Sequence, residues 1–212
     1  MANQGSLNEL LKWSIENSST TENDPEAAPP TNRGFNPEMM AALFGGPSEA
    51  DLMRQSMQAI TDSSLALDDK LVAFDNFEQL IESLDNANNI ANLDLWSPLL
   101  AQLAHEAADM RRMAAWCVGT AVQNNERTQE RLFALGGIPT LVALATRAGE
   151  PSEVRRKAVY ALSSACRNYQ PAMDLLSEEL AKTGRGGDKV DALDMDAVDT
   201  VINKLREEAT KA

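Results

Sequence analysis

The sequence is poor in the side chains that most often carry chemistry. Histidine occurs once, at His105, and cysteine twice, at Cys117 and Cys166. A nucleophilic triad, a His-rich metal site or a phospho-relay would rest on that one imidazole, so His105 is read as a surface residue in a turn. Neither cysteine belongs to a closely spaced pair, and both fall inside helical patterns, as expected of buried thiols in a reducing compartment. Positive charge is also scarce: 19 Lys and Arg face 32 Asp and Glu, a net charge of -13. Such a balance repels phosphate backbones and anionic bilayers, so neither nucleic acid nor a membrane is an expected partner. No apolar run approaches the roughly 18 residues of a membrane span. "MANQGSLNELLKWSIENSS" lacks a basic n-region and an apolar h-region, so a cytoplasmic location is expected.

The remaining chemical motifs fail on spacing. "DALDMDAVD" (191–199) gathers acids without the Gly and Glu that an EF-hand loop needs at its sixth and twelfth positions, and helix capping explains it better. "GRGGDK" (184–189) follows a helix instead of a strand and lacks the P-loop spacing. No cofactor, metal or small-molecule substrate is therefore expected, and the chain is not read as an enzyme.

What the sequence does contain is helix. Ser6-x-x-Glu9 forms a capping box ahead of Leu7, Leu10, Leu11 and Ile15 on one face. "NSSTTENDPEAAPPTNRG" follows, too polar and Pro-rich for its burial to offset the entropy of ordering it, and reads as a linker. From Asn36, with Pro37 behind it, helical patterning is nearly continuous; "GGPS" interrupts it, and Ser48 starts a helix carrying Leu52, Met53, Met57 and Ile60. Met39, Met40, Met53 and Met57 could make a soft partner surface, although core filling accounts for them more simply. Three regions are expected: a flexible segment 1–35, a repeat core 36–180, and a Gly-rich break with a capping helix over 181–212.

The repeat emerges when the chain is shifted against itself. A shift of 42 lays Leu71, Ala73, Phe74, Leu80, Ile90 and Leu99 over Met113, Ala115, Trp116, Val122, Leu132 and Leu141. A shift of 44 lays "DMRRMAAWCVGTAVQNN" (109–125) over "EVRRKAVYALSSACRNY" (153–169), matching Arg112 to Arg156, Trp116 to Tyr160 and Asn124 to Asn168. That period belongs to armadillo and HEAT arrays. Three helices per unit favour armadillo, with Gly136 and Gly137 at a turn and Pro139 in the first turn of the next helix. The fold expected is all-α: an armadillo-type right-handed superhelix of about three repeats. Small residues, Ala114, Ala115, Gly119 and Ala121, allow close helix approach, and Trp116 and Tyr160 are expected to fill the space between layers.

A repeat array presents a concave face lined by its third helices, here 68–84 with a "DNANN" extension, 109–125 and 153–169. Asn88, Asn89, Asn124, Asn125 and Asn168 are expected at or near the C-terminal ends of these helices, where amides can bond a partner's backbone; helix stopping explains them equally well. Arg111, Arg112, Arg155, Arg156 and Lys157 sit at helix N-termini, where the dipole disfavours cations. Binding or an inter-repeat ion pair accounts for them.

"KLVAFDNFEQLIESLDNANNI" (70–90), "LW-P-L" (95–99) and "GTAVQNN" (119–125), with "LLKWSIENS" (10–18) and "LFGGPS" (43–48), resemble the Fes-type nucleotide-exchange factors of cytosolic 70-kDa heat-shock chaperones, relatives of the animal heat-shock-protein-binding protein. The resemblance spans about residues 7–172. It implies a monomeric armadillo core whose concave face grips one lobe of the chaperone's ATPase domain and promotes ADP release, with Asn86, Ala87, Asn88 and Asn89 at the contact. It also implies an N-terminal segment, including Leu10, Leu11, Trp13 and Ile15, that assists release of client polypeptide. On this expectation Ala87→Arg abolishes binding and spares the helical circular-dichroism signal. Family members often continue with a further repeat after the "RNYQ" helix, whereas this chain passes into "TGRGGDK" and one last helix. The rival expectation is a peptide-binding armadillo adaptor whose acidic groove takes basic peptides, which normally needs more repeats.

Overall fold

The structure is a computed structural model that describes residues 46–186 and 189–211. Among them are ten α-helices and one short 3-10 turn, with no strand. Helix α1 (Glu49–Thr61) begins as expected: the Ser48 hydroxyl accepts from the Asp51 amide and the Asp51 carboxylate accepts from the Ser48 amide, a complete capping box. Met53 and Met57 point into the core, which settles their role as filling.

After α1 come α2 (Leu67–Ile81), α3 (Leu84–Asn92), α4 (Trp96–Ala101) with the 3-10 turn Gln102–Ala104, α5 (Ala108–Ala121), α6 (Glu126–Ala134), α7 (Gly137–Thr146), α8 (Ser152–Cys166), α9 (Gln170–Lys182) and α10 (Met195–Thr210). Two consecutive units, α3–α4–α5 and α6–α7–α8, each close with a long helix. The chain is all-α and of armadillo type. Long helices pack side by side in chain order, α2 on α5, α5 on α8 and α8 on α10, while α3, α6 and α9 form a second row. Helices α2 and α5 run in one direction, with Cys117 Sγ 3.8 Å from the Phe74 carbonyl and Thr120 Oγ1 donating to Glu78 Oε1 at 2.7 Å, and α8 follows them, Trp116 meeting Lys157 and Gly119 meeting Tyr160. These pairings keep the offset of about one repeat.

Left-handed residues follow two of the long helices, α5 and α8. Asn124 (φ 51°) follows α5 and Asn168 (φ 60°) follows α8 at repeat-equivalent positions, where an Asn side chain tolerates the conformation. Gly136 (φ 71°) serves the same purpose between α6 and α7, and Pro139 falls in the first turn of α7 as the sequence predicts. Gly119 permits the α5–α8 approach, since a Cβ there would lie 2.5 Å from Tyr160 Cδ1 and 3.1 Å from Ala161 Cα.

The last helix breaks the pattern. Asp194 caps α10, its carboxylate accepting from the Ala197 amide at 3.1 Å. Val198, Ile202, Leu205 and Ala209 are buried, joining the core that Trp96, Phe74, Phe77 and Ile60 anchor. Yet α10 runs antiparallel to α8: Arg155, early in α8, donates to the Lys211 carbonyl after α10, whereas Arg167, just past the end of α8, pairs with Asp199 near the start of α10. The Asn168 amide donating to the Ala192 carbonyl fixes that reversal, because it starts α10 beside the end of α8.

Candidate partner-binding face

The exposed face of the long-helix row is built from repeat-equivalent side chains one helical turn apart. Helix α5 contributes Arg112, Trp116 and Thr120; α8 contributes Glu153, Arg156, Lys157 and Tyr160; α10 contributes Arg206 and Thr210; Glu82, just past α2, is exposed, and Glu78 of α2 is buried beneath the face. At the α5–α8–α10 end these line a groove of about 820 Å³. A smaller recess of about 420 Å³, with Glu78, Glu82 and Thr120 in its wall, continues the face toward α2. The face is thus cationic at one end and carboxylate-bearing at the other.

Lys157 is the hinge of this arrangement. Its Nζ lies 3.6 Å from the centroid of the Trp116 ring and 5.7 Å from that of Tyr160. Partial burial lowers its pKa below the ordinary lysine value; the Arg112 and Arg156 charges add to this, and the Glu78 carboxylate opposes it. Trp116 and Tyr160 are therefore half-exposed platforms on the face, not the interlayer fillers that their size suggested, and Tyr160 donates its hydroxyl to Gln123 Oε1 at 3.2 Å. Buried Glu78 accepts from Thr120. Beneath them Cys117 is fully buried, and burial, with Glu78 nearby, pushes its thiol up; burial alone pushes Cys166 up to about 12.

The basic pairs divide their labour. Arg111 turns inward, with Nη2 at 2.6 Å from the buried Glu150 carboxylate and Nη1 on the His105 and Glu106 carbonyls. Arg155 likewise bonds the Ala145 carbonyl. The second members, Arg112 and Arg156, remain in the groove. His105 is half-buried, and its Nδ1 accepts from the Ala107 amide.

The asparagines fall elsewhere. Helix α2 ends at Ile81, and Ser83, in extended conformation, starts a separate helix. The "DNANN" run is consequently the body of α3 and not an extension of α2, which corrects the expected boundary at 84. Asn86 and Ala87 are buried, with 6% and 3% of their surface exposed, so the expectation that they lie open to a partner is corrected as well. Asn86 Nδ2 donates to Glu49 Oε2 at 2.8 Å and to the Leu80 carbonyl at 2.9 Å, tying α3 to α1 and α2. Asn125 is buried and donates to Asn88 Oδ1 at 3.2 Å; Asn89 Oδ1 accepts from Asn92. Asn124 and Asn168 are exposed. Leu10, Leu11, Trp13 and Ile15, and the expected helix from Asn36, lie outside the described residues.

Comparison with known proteins decides the lineage. Residues 7–90 match the family described as nucleotide exchange factor Fes1, and residues 86–179 match the SIL1/FES1/HPBP1 C-terminal domain. A protein of Gibberella zeae named Hsp70 nucleotide exchange factor FES1 is 69% identical over 209 residues, covering 97% of this chain and 98% of its own. The chain belongs to the Fes1 family. A Neurospora crassa relative of the same description is 52% identical over 97% of this chain and 98% of its own. A Yarrowia lipolytica relative is 45% identical over 80% of this chain but only 58% of its own length. The family thus includes chains considerably longer than this one. The C-terminal domain match ends at residue 179, within α9, so α10 lies beyond it. Nothing in the sequence pattern pointed to Arg206, because its position in the groove depends on α10 being reversed.

Proposed function

We propose that this protein is a nucleotide-exchange co-chaperone that holds the ATPase domain of a cytosolic 70-kDa heat-shock chaperone and promotes ADP release. The observation that carries the reading is the 69% identity, over nearly the whole of both chains, to a protein named Hsp70 nucleotide exchange factor. The exposed long-helix face, where Arg112, Trp116, Arg156, Lys157 and Tyr160 stand on rigid helices, offers the docking surface. Asn124 and Asn168, just past α5 and α8, and Asn88 and Asn89, on α3, serve as secondary contacts. Residues 1–35, with Leu10, Leu11, Trp13 and Ile15, assist release of client polypeptide, and the protein works in the cytoplasm as a monomer. Among the described residues no helix is long and apolar enough to cross a membrane.

Such a factor performs no bond chemistry on the nucleotide. It binds the open-cleft chaperone more tightly than the closed, nucleotide-filled one, and a thousandfold faster release requires about 4 kcal/mol of that preference at the transition state for opening. Rigid helices can supply the preference by fitting one arrangement of the lobes. The adaptor reading fares worse because the groove expected to be acidic is lined by Arg112, Arg156, Lys157 and Arg206, which repel basic peptides.

Linkage supplies the test: ADP must weaken chaperone binding by the same equilibrium factor by which this protein weakens ADP binding. Titration calorimetry of the ATPase domain with and without ADP is expected to give equal factors in the two directions. Tight binding that is indifferent to nucleotide would overturn the reading.

A further inference from the structure

We infer that α10 is a working part of the docking face, and that the groove it closes receives a carboxylate-bearing surface of the partner's ATPase domain. The inference rests on the exchange-factor reading for the partner's identity, and on the structure for the chemistry. Four cations, Arg112, Arg156, Lys157 and Arg206, converge on one groove with a single carboxylate, Glu153, in its wall. This happens in a chain whose acids outnumber its bases by 32 to 19. Among the described residues no carboxylate lies within ion-pair distance of Arg156, Lys157 or Arg206, and Arg112 reaches only Asp109, at 3.4 Å. Arg206 donates instead to Asn203 Oδ1 at 3.0 Å. Like charges that outnumber the carboxylates beside them raise the energy of the free protein, and an anionic surface relieves it.

The reversed direction of α10 produces the convergence. A fourth long helix parallel to α8 would present its N-terminal half at this end of the row, as α5 and α8 do with Arg112 and Arg156. Because α10 runs back along α8, its C-terminal half arrives there instead and brings Arg206 to the groove. The helix is held firmly: Arg155 bonds the Lys211 carbonyl at 3.1 Å, Arg167 pairs with Asp199, and Arg185 pairs with Glu208 at 2.9 Å. Arg206 is consequently presented by a fixed element, and a partner meeting the α5–α8 end of the face meets α10 too.

The test is affinity of the full chain for the nucleotide-free ATPase domain at about 50 and about 200 mM salt, where charge pairs across an interface are progressively screened. Three chains are compared: the natural protein, Arg206→Glu, and Lys204→Glu. Lys204 is an exposed cation on the same helix that lines the α9–α10 groove instead. Arg206→Glu is expected to weaken binding about tenfold at the lower salt and less at the higher, by opposing the partner's charge. Lys204→Glu is expected to bind within about twofold of the natural chain, and thermal melts of both variants establish that α10 remains folded. Natural affinity in a folded Arg206→Glu chain overturns the inference and leaves the exchange-factor reading standing. No binding by the natural chain overturns that reading and this inference with it.

Discussion

Replacing Asn86 with Ala removes two hydrogen bonds from one buried amide, to Glu49 and to the Leu80 carbonyl. Loss of about 1–3 kcal/mol is expected, the cost of a buried group left unsatisfied. Ala87→Arg belongs with it: a long cation forced against a site that is 3% exposed overpacks α3 and lowers the melting temperature. This replaces the expectation that the variant leaves the helices untouched. Thermal melts followed by circular dichroism check both, and an unchanged melting temperature for Ala87→Arg would mean that Ala87 faces solvent. The sequence concealed these residues because "ESLDNANNI" contains no Gly or Pro to announce the break at Ser83. Burial of an Asn follows from which helix faces which, and periodicity alone does not reveal it. Arg111 and Arg155 were ambiguous for a similar reason: whether a guanidinium turns inward depends on the carbonyls and carboxylate around it.

At the scale of elements, much of the architecture was legible. The shift of 44 paired the correct helices because α5 and α8 pack at an offset near the repeat, and the small size of Gly119 marked a close approach, which it makes to Tyr160 and Ala161. Gly119→Val would drive two methyl groups toward the Tyr160 ring and the Ala161 backbone. Destabilisation of about 1–3 kcal/mol is expected, a few degrees in a melt for a chain of this size. A melting temperature equal to or above the natural value would show that α5 and α8 do not meet there. The direction of α10 was not legible. Its amphipathic pattern and Asp194 cap predict a helix, but its sense follows from contacts distant in sequence, the Asn168 amide to the Ala192 carbonyl, Gln170 to the same segment and Arg155 to the Lys211 carbonyl.

Across the whole molecule, net charge misled where geometry did not. A chain at -13 gathers four cations near the starts of α5 and α8 and in the second half of α10, so the groove has the opposite sign to the average. The resemblance to Fes-type factors was legible in "DNFEQLIESLDNANNI" and "GTAVQNN", and the family matches over 7–90 and 86–179, with near full-length identity to a relative, support it. Which side chains make contact was less legible, since exposure is a tertiary property. The most direct test of the account is stopped-flow release of a fluorescent ADP analogue from a cytosolic 70-kDa heat-shock chaperone. Release that accelerates and saturates with the concentration of this protein is the predicted result. Release at the intrinsic rate at every concentration would contradict it.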